Sequence, residues 1–468
     1  MLRTLVTSLL ATVLTVPALA QPLTPGQEKF RALFKEMVET RTALSDGSCT
    51  ELAGKIAGHL KEAGFPDSDI HLFQAPGSPK EGGLVAVLPG SDPTAKAVLM
   101  LGHLDVVEAK REDWTRDPFT LIEENGYFYG RGVADMKSLD AAWVDTMMRL
   151  KQEGFKNRRA LKMALTCGEE TASAFNGAGW LSTHERALID AEFAINEGGG
   201  GRLDDSGKPM VMTVQAAEKF PQDYVVEVTN PGGHSARPVK KNAINELAAG
   251  LVKISQYEFP IEATDITRAY FAKMASQTGG TMGAAMAAFA KDPSDKAAAT
   301  IATDPDYNGV LHTTCIATML SGGHATNALP QRATANINCR IFPGTSPEQV
   351  RQKLAELAGD LDIKVRFGAK RSEVPKGPQT LNSKVFGPVE TLTAKYWPGV
   401  PVVAAMSAGA TDGAFLTPAG IPTYGVSGIF RDADGSGAHG LNEHVRTSSV
   451  YRGRDFIYDV VKIYAGQN

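Results

Sequence analysis

Three apolar runs, each predicted to be a buried strand, lead to residues of the types that bind metal ions. The runs and the residues that follow them are 97–101 with His103, 160–165 with the adjacent Glu169 and Glu170, and 193–196 with Glu197. Open α/β sheets bind their ligands beyond the carboxyl ends of the strands. The sequence therefore predicts an α/β fold with a functional site at one edge of a sheet.

The first run is followed by Gly102–Asp105, in which a histidine precedes a carboxylate by two positions. A metal-bound imidazole needs its second nitrogen held by a carboxylate or a carbonyl, which fixes the tautomer. We expect Asp105 to orient His103 in this way. The alternative is that both are ordinary turn residues, because an isolated His-x-Asp pair is weak evidence for a metal site.

A glycine-rich segment, Gly130–Lys137, leads into the helical pattern of residues 138–150 and contains Asp135. Aspartate is among the preferred residues at a helix start, so Asp135 could cap this helix. The other interpretation is that the tight Gly-x-Gly turn holds a carboxylate whose two oxygens bridge two cations. The residues by themselves leave both interpretations open.

Glu169 and Glu170 are adjacent carboxylates at a predicted strand end. Like charges at this distance raise the pKa of one of the two groups. A metal ion removes the conflict by binding one carboxylate and leaving the other as a general base. We assign Glu170 to the metal and Glu169 to proton transfer, and a solvated surface pair is the alternative.

His439 lies far beyond Glu197 in the sequence, so the fold has to bring it back to the strand ends. His444 competes with it for a ligand role. The glycine-flanked loop around His439 favours that residue.

The segments that carry these residues resemble the M20 family of metallopeptidases. The most specific matches are Gly102–Val107, Trp114–Lys137, Gly168–Glu170 and His439–Glu443. The resemblance extends over nearly all of the chain after residue 20. It implies a zinc-peptidase-type catalytic domain with an inserted α+β lid and dimerisation domain, acting on amide or peptide bonds.

The resemblance also implies a role for each residue of the site. His103 and Glu197 would hold one zinc ion, Glu170 and His439 the other, Asp135 would bridge both, and Glu169 would be the base, with Asp105 beside it in the catalytic set. Cobalt or manganese would also suit these ligands. A further implied feature is a cis peptide bond between Asp135 and Met136.

Four more positions match substrate-binding residues of the family: His234, Asn327, Arg340 and Gly409. The histidine of the 231–236 motif would stabilise the oxyanion in the active site of the partner subunit. Arg340 would clamp a free carboxylate with two parallel hydrogen bonds. The alternatives are a turn histidine and a surface salt bridge.

Glu197 separates two kinds of family member, since aminopeptidases and dipeptidases of the family usually have aspartate at this position. Glutamate favours a carboxypeptidase or N-acyl-amino-acid hydrolase, with a small peptide or N-acyl amino acid as substrate. An aminopeptidase or dipeptidase is the alternative within the family. A catalytically silent peptide-binding protein is a third reading, opposed by the presence of all five ligands and the base. A serine hydrolase is disfavoured because no Gly-x-Ser-x-Gly elbow occurs.

Residues 1–20 have the pattern of a secretory signal, with Arg3, an apolar core over 5–16, and the small-residue cleavage site Ala18–Ala20. No cysteine follows that site, and no later apolar run is long enough to span a membrane. We therefore expect a periplasmic or secreted protein without a membrane anchor. The formal net charge of −4 gives no basic surface for nucleic acid.

The expected organisation is a discontinuous catalytic domain interrupted by the lid domain, through which a homodimer would form. The boundaries are 1–20 for the signal peptide, 21–213 and 374–468 for the catalytic domain, and 214–373 for the lid, with an extra helical insertion at about 258–308 that covers the site or contacts a partner. Cys315 and Cys339 lie in neighbouring predicted strands and are expected to form a disulfide. Cys167 is expected to serve in packing.

Overall fold

The structure is a computed structural model, and it describes residues 22–171, 175–359, 363–367 and 381–466. The predicted signal peptide lies outside these residues, and so does the boundary predicted at 373. Among the residues described, no helix combines the length and the apolar character needed to cross a membrane.

The first part of the chain alternates helices with strands. The helices are α1 (Pro25–Glu39), α2 (Cys49–Glu62), α3 (Lys137–Gln152), α4 (Gly177–His184) and α5 (Arg186–Ile189). The strands are β1 (Ile70–Ala75), β2 (Ser78–Leu88), β3 (Val98–His103), β4 (Ile122–Glu124), β5 (Tyr127–Tyr129), β6 (Leu161–Thr166), β7 (Phe193–Asn196), β8 (Gly200–Leu203) and β9 (Pro209–Glu218).

The middle part contributes a second set of strands and helices. The strands are β10 (Phe220–Thr229), β11 (Gly233–His234), β12 (Thr314–Gly322), β13 (Ala328–Leu329), β14 (Arg332–Ile341) and β15 (Ile363–Phe367). The helices are α6 (Ala243–Ser255), α7 (Asp265–Thr278), α8 (Gly280–Lys291), α9 (Asp295–Ile301), α10 (Pro305–Asn308) and α11 (Pro347–Ala358).

The last part returns to the first. Its elements are α12 (Ser383–Tyr396), β16 (Val402–Ser407), α13 (Gly413–Leu416), β17 (Thr423–Gly425), β18 (Phe430–Arg431), β19 (His444–Arg446) and α14 (Thr447–Gly466).

A large sheet joins the first and last parts of the chain. Its strand order is β1-β2-β6-β3-β7-β17-β9-β8-β18, and β16 pairs with β9. Strand β3 is parallel to both β6 and β7, so the carboxyl ends of these three strands meet at one edge. Every residue of β3 is buried, which explains its uninterrupted apolar sequence, because parallel strands are covered on both faces.

A separate antiparallel sheet, of order β12-β14-β10-β15, is built from the middle part. Its core is apolar and includes Tyr224 and Val226 of β10, Leu247 of α6 and Leu354 of α11. The change from one sheet to the other falls between Glu218 and Phe220, shortly after the predicted boundary at 213. The mixed α/β architecture with an inserted α+β domain confirms the predicted fold class.

Helices α7 to α10 lie within the predicted helical insertion. Phe271, Met286 and Phe289 are buried together with Val211 of β9 and Val403 of β16, so the helices pack against the large sheet. The alanine- and methionine-rich composition is therefore that of a helical core. The segment ends beside the loop after β16, since a Cβ added at Gly309 would lie 3.1 Å from the Cβ of Ala408.

Two disulfides cross-link the described residues. Cys315 and Cys339 face each other across β12 and β14 and are bonded, which confirms the predicted pair. Cys167 is buried, as expected of a packing residue, but the sequence did not predict that it is bonded to Cys49 at the start of α2. The two cysteines are separated by 118 residues, and no local pattern of the sequence indicates that α2 packs against the loop after β6.

The two disulfides are expected to differ in their effect on stability. A cross-link stabilises the protein by restricting the unfolded chain, and its effect grows with the length of the closed loop. Replacing both Cys49 and Cys167 with alanine is expected to cost about 5 kcal/mol, against about 3.5 kcal/mol for the pair Cys315 and Cys339. Urea unfolding of both double variants and the wild type under non-reducing conditions measures this. A larger loss for the second pair would contradict the expectation.

Candidate metal centre and active site

The predicted ligands come together at the carboxyl edge of the large sheet. His103 is the last residue of β3, Glu197 follows β7, and Glu169 and Glu170 lie in the loop after β6. His439 reaches the same place from the last part of the chain. The parallel pairing of β3 with β6 and β7 is what places these strand ends side by side.

His103 is buried, and its two ring nitrogens have different surroundings. Nδ1 lies 3.0 Å from the main-chain oxygen of Asp105, to which it donates. Nε2 lies 3.4 Å from Asp135 Oδ1 and 3.6 Å from Glu197 Oε1. Within the described part of the chain, this buried Nε2 has no hydrogen-bond partner. A buried ring nitrogen that faces two carboxylates in this way fits a bound cation.

His439 faces the other oxygen of Asp135. Its Nε2 lies 3.2 Å from Asp135 Oδ2 and 2.9 Å from Glu170 Oε2. The two oxygens of Asp135 therefore point to two different imidazoles, which suits a bridging ligand. His444 instead lies with Nδ1 3.1 Å from the Asn442 oxygen, so the structure brings His439 to the cluster.

Two sets of side chains each have ligand atoms within 4.8 Å of one another: His103 with Asp135 and Glu170, and His103 with Glu169 and Glu197. The geometry thus places Glu169 near enough to act as a ligand as well as a base. Cys49, Asp105 and Cys167 form a third such set, but both sulfurs are committed to the disulfide.

The carboxylate of Asp105 has a different task from the one expected. It accepts the main-chain N–H groups of Glu169 at 3.4 Å and Glu170 at 3.0 Å, whereas its nearer oxygen lies 3.8 Å from His103 Nδ1. The main-chain oxygen of Asp105 orients the imidazole, and its carboxylate holds the glutamate loop. One residue therefore fixes both His103 and the proposed base.

The pKa values of the cluster show a conflict among its carboxylates. Burial raises the pKa of Glu169 well above its ordinary value, against the attraction of His103, and Glu197 raises it further. Burial raises the pKa of Glu197 to about 8. Burial would also raise the pKa of Asp135, but the imidazoles of His103 and His439 beside it lower it below its ordinary value. Cations at this place would allow all of these carboxylates to ionise.

Asp135 does not cap the helix that follows it. Helix α3 begins at Lys137, and Met136 at its start makes no side-chain cap hydrogen bond. The peptide bond between Asp135 and Met136 is cis, as the family resemblance implied. Asp135 is therefore presented to the two histidines rather than to the amides of the helix.

Glu443 is a residue whose role the sequence did not reveal. Its side chain is fully buried, and its two oxygens accept N–H groups from Gly132 at 3.0 Å, Ala134 at 2.8 Å and Asp135 at 3.0 Å. Its partner in a buried ion pair is Arg131, at 2.8 Å. Glu443 thus joins the loop of Asp135 to the loop of His439. The signals were present in the Gly-Arg-Gly and His-Gly-Leu-Asn-Glu segments, but only the fold shows that they meet.

Two acidic residues, whose roles the sequence also did not reveal, fix the loop after β16 through hydrogen bonds. Glu218 accepts the N–H and the hydroxyl of Thr411 at 3.1 and 3.0 Å. Asp412 accepts from Thr166 at 3.0 Å and from Asn176 at 2.7 Å. Gly409 lies in the same loop, where its N–H donates to Ser407 Oγ.

A cavity of about 260 Å³ opens between this loop and the ligand cluster. The residues lining it include Asp135, Glu169, Glu197, Thr411, Arg431 and His439. Gly409 is not among its lining residues, although Ser407 and Ala410 on either side of it are.

Glu218 gives the protein a pH dependence that can be isolated. Burial raises its pKa from 4.5 to about 7, against hydrogen bonds from Thr411. Between these two values the unfolded chain has lost the proton and the folded chain keeps it, so stability falls as pH rises. Relative to Glu218→Gln, the wild type is expected to lose about 2 kcal/mol of unfolding free energy between pH 4.5 and 7. Urea unfolding of both proteins across this pH range measures the difference in unfolding free energy. A difference that does not change with pH would refute the raised pKa of Glu218.

The structure places the remaining predicted residues on the inserted domain. His234 is exposed on β11, which pairs with β13, and the N–H of Ser235 donates to the Asn327 oxygen at 2.9 Å. Arg340 lies on β14 opposite Pro221 and Thr314. The structure therefore groups His234 with Asn327, and none of the three lines the cavity at the ligand cluster.

This architecture, with a histidine and carboxylate cluster at the strand ends and an inserted second domain, is that of a two-domain metallohydrolase. Residues 99–463 match the sequence profile of Peptidase family M20/M25/M40. The chain belongs to this family.

Known proteins agree with this assignment. The human "N-fatty-acyl-amino acid synthase/hydrolase PM20D1" is 25% identical over 387 residues, which cover 80% of this chain and 75% of the relative. "Probable carboxypeptidase S-like 2" of Dictyostelium discoideum is 26% identical over 486 residues, covering 94% and 89%. The fold is shared with the crystal structure of the "M20 family metallo-carboxypeptidase Sso-CP2" of Sulfolobus solfataricus, with a TM-score of 0.70, 20% identity, and coverage of 94% and 99%. The protein is accordingly a metal-dependent hydrolase of peptide or amide bonds.

Proposed function

We propose that this protein is a di-zinc carboxypeptidase or N-acyl-amino-acid hydrolase. The observation that carries the metal part of the proposal is the unpartnered, buried Nε2 of His103 between Asp135 and Glu197. Glutamate at position 197 carries the substrate part, and relatives named as a carboxypeptidase and an acyl-amino-acid hydrolase support it.

The ligands divide between two metal positions around Asp135. His103 and Glu197 would hold one ion, and Glu170 and His439 the other. Both sets mix imidazole and carboxylate, which suits zinc, with cobalt and manganese as substitutes. Bound zinc would supply Lewis acidity and a water of lowered pKa.

The side chains of this chain then have distinct tasks. Glu169 takes the proton of the attacking water and delivers it to the nitrogen of the leaving amine. Asp105 keeps Glu169 in place through its main-chain N–H. Arg340 binds the free carboxylate of the substrate, and Asn327 and His234 bind the scissile carbonyl from the inserted domain.

A homodimer formed through the inserted domain completes the proposal. Strand β12 is at the edge of its sheet, and Ile316, Met319 and Leu320 on it are 68%, 71% and 72% exposed. An apolar edge strand of this kind is a pairing surface. His234 is exposed as well, which fits a residue that acts in the active site of the partner subunit.

The dimer is testable by changing this edge. Met319→Lys is expected to give a monomer with little loss of stability, because the side chain is exposed. Sedimentation velocity measures the mass, and Leu72→Lys, at another exposed apolar position of an edge strand, is the control. A wild type that sediments as a monomer would contradict the dimer.

Export into an oxidising compartment is part of the proposal. The pattern of residues 1–20 motivates it, and two disulfides in the folded chain support it, because disulfides are rare in reducing compartments. Sequencing the amino terminus of the protein recovered outside the cytoplasm tests it, with Gln21 as the expected first residue.

The decisive experiment for the activity compares two matched substrate sets with zinc-loaded protein. N-acyl amino acids and peptides with a free carboxyl end and a blocked amino end form one set, and peptides with a free amino end and an amidated carboxyl end form the other. We expect hydrolysis of the first set alone, loss of activity on chelation, and recovery with zinc.

Substitution of Arg340 tests whether this residue binds the free carboxylate of the substrate. Arg340→Lys keeps the charge and loses the two parallel hydrogen bonds, so KM for the first set is expected to rise about tenfold or more. Hydrolysis of the second set alone would replace the proposal with an aminopeptidase. If zinc-loaded protein hydrolyses neither set, the protein would be interpreted as a catalytically silent peptide-binding protein.

A further inference from the structure

One arginine on the catalytic domain has no role in the chemistry described so far. Arg431 is the last residue of β18, and it is the only arginine or lysine among the described residues that line the 260 Å³ cavity. Asp135, Glu169, Glu197 and His439 line the same cavity. A cation therefore faces the reaction centre from the side of the large sheet.

The backbone of Arg431 is held firmly. Phe430 beside it is buried and packs against Trp397 in a tilted arrangement, with ring centroids 4.8 Å apart, and its carbonyl accepts from Ser449 Oγ at 3.0 Å. Successive side chains of a strand point to opposite faces, so burial of Phe430 turns Arg431 outward. Its guanidinium is thus presented to the cavity from a fixed point.

Arg431 makes no hydrogen bond or ion pair with a side chain in the part of the chain that the structure describes. Asp432, the next carboxylate in sequence, is bonded instead to Arg446 at 2.6 Å. The exposed guanidinium of Arg431 is therefore available to a ligand.

The charge of the cavity points to an anion. Asp135, Glu169, Glu170 and Glu197 carry four negative charges when Glu169 is ionised as a base, and two divalent ions carry four positive charges. Bound divalent ions would thus balance these four carboxylates, including Asp135, whose pKa Arg431 lowers. Asp105 and Asp412 lie nearby but do not line the cavity, so no carboxylate among the described residues of the cavity is left to pair with Arg431. Guanidinium groups pair with carboxylates through two parallel, charge-assisted hydrogen bonds.

The size of the cavity limits what brings that carboxylate. At about 260 Å³ it lies below the range of sites for drug-sized ligands, and Ala405, Met406 and Ala410 line it with short or flexible apolar groups. A short side chain or a short acyl group fits such a space. In the proposed function, Arg340 on the inserted domain binds the free terminal carboxylate of the substrate, so Arg431 would bind a different one.

We propose that Arg431 binds a second carboxylate of the substrate, so that the preferred substrates are dicarboxylic: short N-acyl amino acids or peptides with an acidic group beyond the one that Arg340 binds. This inference rests on the proposed function and narrows it. The acidic group belongs either to the side chain of the amino acid or to the acyl group.

Matched pairs of substrates test this. N-acetylglutamate is compared with N-acetylglutamine, and N-succinylalanine with its terminal amide, in the wild type, Arg431→Gln and Arg202→Gln. Arg202 is the control because it lies opposite Arg431 on β8 and does not line the cavity. We expect the wild type to prefer the charged member of at least one pair by about 10- to 100-fold in kcat/KM. Arg431→Gln removes that preference, whereas Arg202→Gln keeps it.

The pair that shows the preference identifies the source of the carboxylate. Two results overturn the inference: a wild type that does not distinguish the members of either pair, and an Arg431→Gln variant that loses the same factor on charged and neutral members. Zinc content is measured in each variant. A loss of zinc from Arg431→Gln also overturns the inference, because the arginine would then be needed for metal binding.

A binding experiment keeps the inference separate from the proposed function. Calorimetry measures the affinity of zinc-loaded Glu169→Gln for N-acetylglutamate and N-acetylglutamine, and for N-succinylalanine and its terminal amide. If the wild type hydrolyses nothing, the proposed function fails, and binding alone decides the role of Arg431. Tighter binding of a charged member that disappears on adding Arg431→Gln supports it. Equal binding of both members refutes it.

Discussion

Glu169→Gln is expected to lower kcat by about 10²- to 10⁴-fold while the protein keeps its metal. The amide has nearly the shape of the carboxylate but cannot accept the proton of water. The loop stays in place because Asp105 holds it through main-chain N–H groups of Glu169 and Glu170, which the substitution does not change. Steady-state kinetics and zinc content measured on the same preparations test both halves of this expectation.

Glu170→Gln is the matched control, one residue away. Glu170 lies 2.9 Å from His439, so its loss is expected to weaken metal binding as well as activity. If Glu169→Gln released metal to the same extent, Glu169 would be a ligand, which its grouping with His103 and Glu197 allows. The assignment of the base would then be wrong.

Glu443→Ala is expected to destabilise the protein by about 3 to 5 kcal/mol. The substitution leaves the buried guanidinium of Arg131 without its carboxylate and the N–H groups of Gly132, Ala134 and Asp135 without their acceptor. It also frees the backbone of Asp135, so zinc affinity is expected to fall about 10- to 100-fold. Urea unfolding measures the first effect, and competition with a chelator measures the second.

Two comparisons make this prediction specific. Glu124→Ala removes an exposed carboxylate that is also paired with an arginine, Arg116, and is expected to cost less than about 1 kcal/mol. Glu443→Gln keeps an acceptor for part of the network and should fall between the wild type and alanine. Unchanged zinc affinity in Glu443→Ala would show that the ion pair stabilises the fold without positioning Asp135.

That the proposed ligands meet at one edge of the sheet was predictable, because each of them lies in a local sequence pattern. A buried strand followed by a histidine or a carboxylate is visible in the sequence, and parallel strands have to end at a common edge. His439 was preferred to His444 for its glycine-flanked loop, and the positive φ of 60° at His439 agrees with an unusual turn. The mixed α/β fold followed from the same alternation of strands and helices.

Pairings between distant segments were not predictable. Glu443 meets Arg131, and Cys49 meets Cys167, through packing of elements whose sequences carry no mark of one another. The sequence also did not show that the main-chain oxygen of Asp105 orients His103 while its carboxylate holds the glutamate loop. A main-chain oxygen and a carboxylate of one residue are both acceptors, and only the path of the chain decides which of them faces His103.

The buried ion pair between Arg131 and Glu443 also has a consequence for synthesis of the protein. The ribosome completes β3, β6 and β7 long before it reaches His439 and Glu443. A growing chain therefore has the proposed base and most of the proposed ligands, but it lacks the last imidazole and the carboxylate that accepts the N–H of Asp135. A fragment that stops within the inserted domain lacks them permanently. The proposed hydrolytic site is thus complete only after His439 and Glu443 have been synthesised.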